Sequence, residues 1–180
     1  MRIFDSIPNE DIAAALQAIH ARPHCLTTGG MATTAATGDQ DVTPANTVTY
    51  VINNIIYSQT TENIDVSETT AGLAATAGTA GAVQAAATYC AYLITIDADT
   101  TWDVLKGTDA TTAALALAAC PAPAANTCPV AIWLVYNTTN AFIVGTTKDS
   151  AAGTTFTYYD IIDIPYGYGE GAVYKDTVAD

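Results

Sequence analysis

The sequence predicts a mainly β protein: an antiparallel β-sandwich or small barrel with one short internal helix and an N-terminal helical arm. Three observations carry that expectation. Strand-length apolar runs rich in Val, Ile, Tyr and Thr recur between short polar turns. Asn53-Asn54 separates Val48–Ile52 from Ile55–Ser58, and asparagine tolerates the positive φ that a two-residue hairpin turn requires. Ala86–Gly107 reads as strand, turn, strand. Tyr89, Ala91, Leu93 and Thr95 fall on one alternation, and Cys90, Tyr92, Ile94 and Ile96 on the other. Both faces are largely apolar or aromatic, so this strand is expected to be covered on both sides, by the chain's own core or by another subunit.

Residues 1–46 read as an arm and linker. Ser6 or Asn9 can cap a helix, Pro8 suits its first turn, and Glu10 and Asp11 favour its positive end. Ile12, Leu16 and Ile19 then form one apolar stripe, stopped by Arg22-Pro23. Such a helix either packs on its own domain or docks on a partner. In the second case Ile3, Phe4, Ile12, Leu16 and Ile19 are the attachment residues. Thr27–Asn46, punctuated by Gly29-Gly30, Gly38 and Pro44, reads as a spacer or an extended segment.

Residues 47–165 read as the β-domain. After the Val48–Ser58 hairpin, Asn63–Ser67 is a possible short strand and Thr69–Gly81 a low-complexity loop. The Ala86–Gly107 hairpin follows. Thr108–Ala119 has helical periodicity and Ala-rich content, with Thr108 or Asp109 as cap. Pro121, Pro123 and Pro129 enforce an extended crossing into Val130–Tyr136. Asn137–Asn140 turns the chain back through Ala141–Thr146, and Thr154–Ile164 is a last strand. The sum is about seven or eight strands. Residues 166–180 form a Gly/Tyr-rich, then acidic, tail.

Composition narrows the function. Only 13% of residues are charged, against about a quarter in ordinary domains. Eighteen acids face five bases, a net charge of −13. Arg2, Arg22, Lys106, Lys148 and Lys175 are too scattered to build a phosphate-binding patch, so no nucleic-acid partner is expected. Met1–Ser6 begins no apolar signal core, and no apolar run approaches the roughly 20 residues of a membrane span. Synthesis in a cytoplasm and no membrane association are therefore expected. In that compartment the four cysteines are read as thiols. Cys120 and Cys128 bracket a short loop, which leaves a disulfide between them open.

No catalytic constellation holds, and no enzyme activity, metal or other cofactor is expected. His20 and His24 stand four apart beside Cys25, but Pro23 interrupts the helix between them. Asp97-x-Asp99-x-x-x-Asp103 lacks the glycine and closing glutamate of a calcium loop, and reads as a solvated turn. Asp39 with Asp41, and Asp160 with Asp163, are equally sparse. The Tyr166–Gly171 glycines are followed by no helix whose dipole would hold a phosphate. Trp102 and Trp133 lie within strands, as core or subunit interface rather than a sugar platform.

Thr88-Tyr89-Cys90-Ala91-Tyr92-Leu93-Ile94-Thr95-Ile96-Asp97, followed by Trp102 and then Lys106-Gly107-Thr108, resembles a block in structural proteins of tailed bacteriophages. There a TYC-x-YL-x-x-ID strand precedes a KGT strand. An Ala-rich helix, a Pro-rich segment ending in Cys-Pro and a strand ending N-x-T-x-x-F-x-x-GTT come next. Here these are Pro121–Pro129 and Asn137–Thr147. The likeness spans Thr47–Pro165. It departs at Ala131-Ile132-Trp133, where a Gly-aromatic pair is more usual, and excludes the first 46 residues. It implies a virion component, either a head decoration, a head fibre or a tail-associated protein, with the major capsid protein or other virion proteins as partners and a homotrimeric state. An adhesive module binding host surface glycans, and a hydrolase with paired acids, are the alternative functions.

Overall fold

The computed structural model describes residues 22–33, 41–60, 64–65, 83–143 and 153–162. Their elements in order are β1 (His24–Cys25), β2 (Met31–Thr33), β3 (Asp41–Pro44), β4 (Val48–Ile52), β5 (Ile55–Gln59), β6 (Ile64–Asp65), β7 (Val83–Gln84), β8 (Thr88–Ile96), β9 (Trp102–Lys106), α1 (Ala113–Ala118), β10 (Cys128–Asn137), β11 (Phe142–Ile143) and β12 (Thr154–Asp160). They form four sheets, β12-β10-β8-β9, β1-β4-β5, β2-β3-β6 and β11-β7. Every pairing is antiparallel. The mainly β, antiparallel expectation holds. The small barrel does not, because each sheet is open and ends in edge strands.

The β12-β10-β8-β9 sheet organises the rest. Trp133 stands opposite Tyr92 on one side and Tyr158 on the other. Register shifts between Pro129 and Ala131, leaving Val130 as the extra residue of a bulge. Pro129 has no N–H to give a ladder, and a bulge is where a strand tolerates it. The bulged Val130 carbonyl accepts from Ile161 N at 2.8 Å. Across the bulge Cys128 opposes Ile96 and Ala131 opposes Ile94, so both residues reach the same apolar layer.

Both faces of this sheet are covered by the chain itself. Cys90, Tyr92, Ile94, Ile96, Trp102, Val104, Trp133 and Val135 pack with Cys25, Met31, Val48, Tyr50 and Ile52 in the main core. The opposite face, Ala91, Leu93, Ile132 and Leu134, packs against Ala116 of α1 together with Ala113, Leu117 and Ile161. The alternation read for β8 is therefore correct. Intrachain packing fills both of its faces.

Local signals account for the two hairpins. Asn53 and Asn54 adopt φ of 52° and 64°, as the β4–β5 turn demands. Gly107 ends β9 for a steric reason. A Cβ there would lie 2.7 Å from the Ala91 carbonyl oxygen and 2.9 Å from that of Ala119.

Three expectations shift. The helix begins at Ala113 and is capped by Thr112, whose hydroxyl accepts from Leu115 N, not by Thr108 or Asp109. Asp109 is engaged elsewhere: its carboxylate accepts from Ala85 N and pairs with Lys106, while Ala110 bridges Tyr89. Among the described residues the return strand after Asn140 is Phe142–Ile143, and it pairs with β7. Finally, the stretch read as arm and linker contributes β1, β2 and β3. Cys25 pairs with Tyr50, and Gly29 packs on Val48 and Val130.

Candidate functional site

The expected attachment residues Ile3, Phe4, Ile12, Leu16 and Ile19 lie outside the described residues, as do His20, Asp39, Asp163 and the 166–180 tail. Of the other candidates, His24, Asp97, Asp103, Asp160 and both tryptophans are placed, and they serve the scaffold. His24 is in a strand rather than a helix, and its Nδ1 lies 2.8 Å from the Arg22 carbonyl oxygen, to which it can donate. Cys25, the next residue, turns into the core, so the two do not converge. Among the described residues no group of three or more His, Cys, Asp or Glu side chains is gathered closely enough to hold a metal ion.

The Asp97–Asp103 turn is built by Asp97. Its Oδ1 accepts from Asp99 N and Thr101 N, both at 2.9 Å, while Thr100 takes a φ of 64°. These bonds replace the ladder where the chain reverses. Asp160, only 5% exposed, accepts from Gly30 N at 3.1 Å and Met31 N at 3.4 Å, tying β12 to β2. Asp103 accepts from Val104 N.

The aromatic residues make the core. Trp102 and Trp133 are 4% and 1% exposed, which removes both indoles from any sugar platform. Trp133 stacks on Phe156 and Tyr158, with ring centroids 5.3 and 6.2 Å apart, and meets Phe142 edge-on.

Gln84, whose side chain makes three hydrogen bonds, gives no sequence signal, since it stands alone in an Ala/Gly/Thr-rich stretch. It is fully buried. Its Oε1 accepts from the Tyr92 hydroxyl at 3.1 Å, and its Nε2 donates to the carbonyls of Thr88 and Val135 at 2.9 and 3.1 Å. One side chain thus closes β7 over the ends of β8 and β10.

The cysteines do not follow the chain-proximity reading. Cys120 packs on the α1 side of the central sheet and Cys128 in the main core, so they form no disulfide. Cys128 instead faces Cys25, with the sulfurs 3.4 Å apart.

Burial, reinforced by nearby Asp97, pushes the Tyr50 hydroxyl up to about 12; that hydroxyl donates to the Asp97 carbonyl at 2.9 Å. Burial likewise raises Tyr92 far above the ordinary phenol range and pushes the Cys90 and Cys120 thiols up to about 11. All four are neutral acids whose protons the folded chain holds to higher pH than the unfolded chain does. The stability they contribute is complete below about pH 9 and declines as pH rises toward 12. In an alkaline titration, the last tyrosines to ionise should do so together with loss of the β circular-dichroism signal. Ionisation of all ten tyrosines near pH 10 with that signal intact would contradict this.

The described surface includes some apolar area. On the edge strand β5, Ile55 and Ile56 are 55% and 67% exposed. Leu26, just after β1, is also exposed. Exposed isoleucines on an edge strand suit association with another protein surface. Among the described residues no helix is long and apolar enough to cross a membrane. In comparisons with known proteins, no family model, no curated protein and no solved structure matches the chain.

Proposed function

We propose that this chain is a non-enzymatic virion structural protein, a capsid decoration or head fibre. In this reading it attaches through its N-terminal segment and projects a sandwich-type β-body. The observation that carries the reading is the Thr88–Thr108 block, whose residues resemble those of tailed-phage structural proteins. The use of its side chains supports the same direction. Asp97, Asp160, Gln84 and both tryptophans brace the body, while isoleucines stand exposed on an edge strand. Its mechanism is association alone, with other virion proteins through residues 1–21 and with further copies, as a homotrimer, through apolar edges such as β5.

Among the described residues, the glycan-binding alternative is left with half-buried tyrosines, such as the stacked pair Tyr89 and Tyr136, because the indoles are internal.

The test is particle association. Deleting residues 1–21, and not beyond, preserves β1 and its pairing with β4. The shortened chain is expected to remain folded and oligomeric but to lose binding to particles, read by co-sedimentation. Full occupancy by the shortened chain would overturn the attachment role of the arm.

A further inference from the structure

We propose that Cys25 and Cys128 are a latent disulfide site, at which oxidation clamps the N-terminal strand β1 onto the central strand β10. Their sulfurs are 3.4 Å apart, and the two residues are 103 positions apart in the chain. Both are buried, and both sulfurs lie within 3.6 Å of the Pro129 carbonyl oxygen. Closing to a disulfide of about 2.05 Å asks the sulfurs to approach by roughly 1.4 Å.

The strands differ in how readily they expose their thiols. Cys128 sits in β10, paired on both sides by β8 and β12. Cys25 sits in a two-residue strand that, among the described residues, pairs only with β4. Short edge elements open locally at far lower cost than central strands. Cys25 is therefore the thiol that meets an oxidant first.

With a low-molecular-weight disulfide such as oxidised glutathione, the Cys25 thiolate attacks one sulfur and releases one glutathione. The Cys128 thiolate then attacks the Cys25 sulfur of the mixed disulfide and releases the second. Two protein thiols are oxidised, one glutathione disulfide is reduced, and the two protons end on the released glutathione thiols. Cys90 and Cys120 are the comparators within the same chain, their thiols pushed up to about 11 by burial.

The full chain is equilibrated for days in oxidised glutathione without denaturant. Free thiols are then counted after unfolding, and the linked peptides are mapped by mass spectrometry. The expected count falls from four to two, with Cys25 joined to Cys128. Four remaining thiols, a Cys90–Cys120 link, or bonds between chains would each overturn the proposal. Cys25→Ser is expected to abolish the loss, and Cys120→Ser to leave it intact. The wild-type mapping decides the matter even if a variant folds poorly.

Discussion

Trp133→Ala is expected to lower stability by about 3–5 kcal/mol, the range for deleting a large buried aromatic side chain. Trp133 is 1% exposed and stands at the centre of the main core, in ring contact with Tyr92, Phe142, Phe156 and Tyr158. Those rings come from β8, β11 and β12, so the cavity would loosen three strands that no local interaction holds together. Against the 5–15 kcal/mol of a typical domain, this is enough to leave part of the population unfolded at 37 °C. Trp133→Phe is expected to cost much less. It keeps a ring, and it removes an indole N–H that has no hydrogen-bond partner in the core; leaving such a donor unsatisfied costs about 1–3 kcal/mol. Urea denaturation checks both. An alanine variant within about 1 kcal/mol of the parent would show that the rings do not hold the sheet.

The second large effect belongs to Gln84→Leu. The substitution nearly keeps the volume, yet strips the Tyr92 hydroxyl of its acceptor and takes one donor from each of the Thr88 and Val135 carbonyls. Each buried polar group left unmade costs about 1–3 kcal/mol, so a loss of about 3 kcal/mol or more is expected. Adding Tyr92→Phe removes one of the stranded groups and should recover part of the loss. The double-mutant cycle therefore shows coupling between the two positions. Strict additivity would mean that the hydrogen bond contributes nothing to the packing of β7.

The two hairpins were legible in the sequence because their signals are local. Asn53-Asn54 specifies a turn, and the period-two patterns of β4, β8 and β9 specify faces. What was not legible depends on distant partners. β1 and β7 have two residues each, too few for any periodicity, and exist because β4 and β11 pair with them. The helix cap moved to Thr112 because Asp109 is drawn to Ala85 and Lys106, a tertiary contact that propensity does not contain. Whether a set of strands closes into a barrel depends on whether its edges meet, and no residue encodes that alone.

The candidate site divides the same way. The acids of the Asp97 turn read correctly as a turn, although their backbone-bracing role appears only with the hydrogen bonds. Proximity along the chain suggested Cys120 as the neighbour of Cys128, whereas strand placement brings Cys25 from 103 residues away. If that pair closes, the enclosed loop corresponds to about 4.7 kcal/mol of loop-closure entropy in the chain-entropy description. β1 would then be one of the most firmly held elements.

The virion reading is tested most directly by asking whether the chain is in the particle. Virions purified by density gradient from cells producing this protein would be analysed by quantitative mass spectrometry, with the 1–21 deletion grown in parallel. The reading predicts that the full chain is present in fixed ratio to the major capsid protein and that the deleted chain remains in the soluble fraction. Particles that lack the full chain, from lysates in which it is abundant, would contradict it.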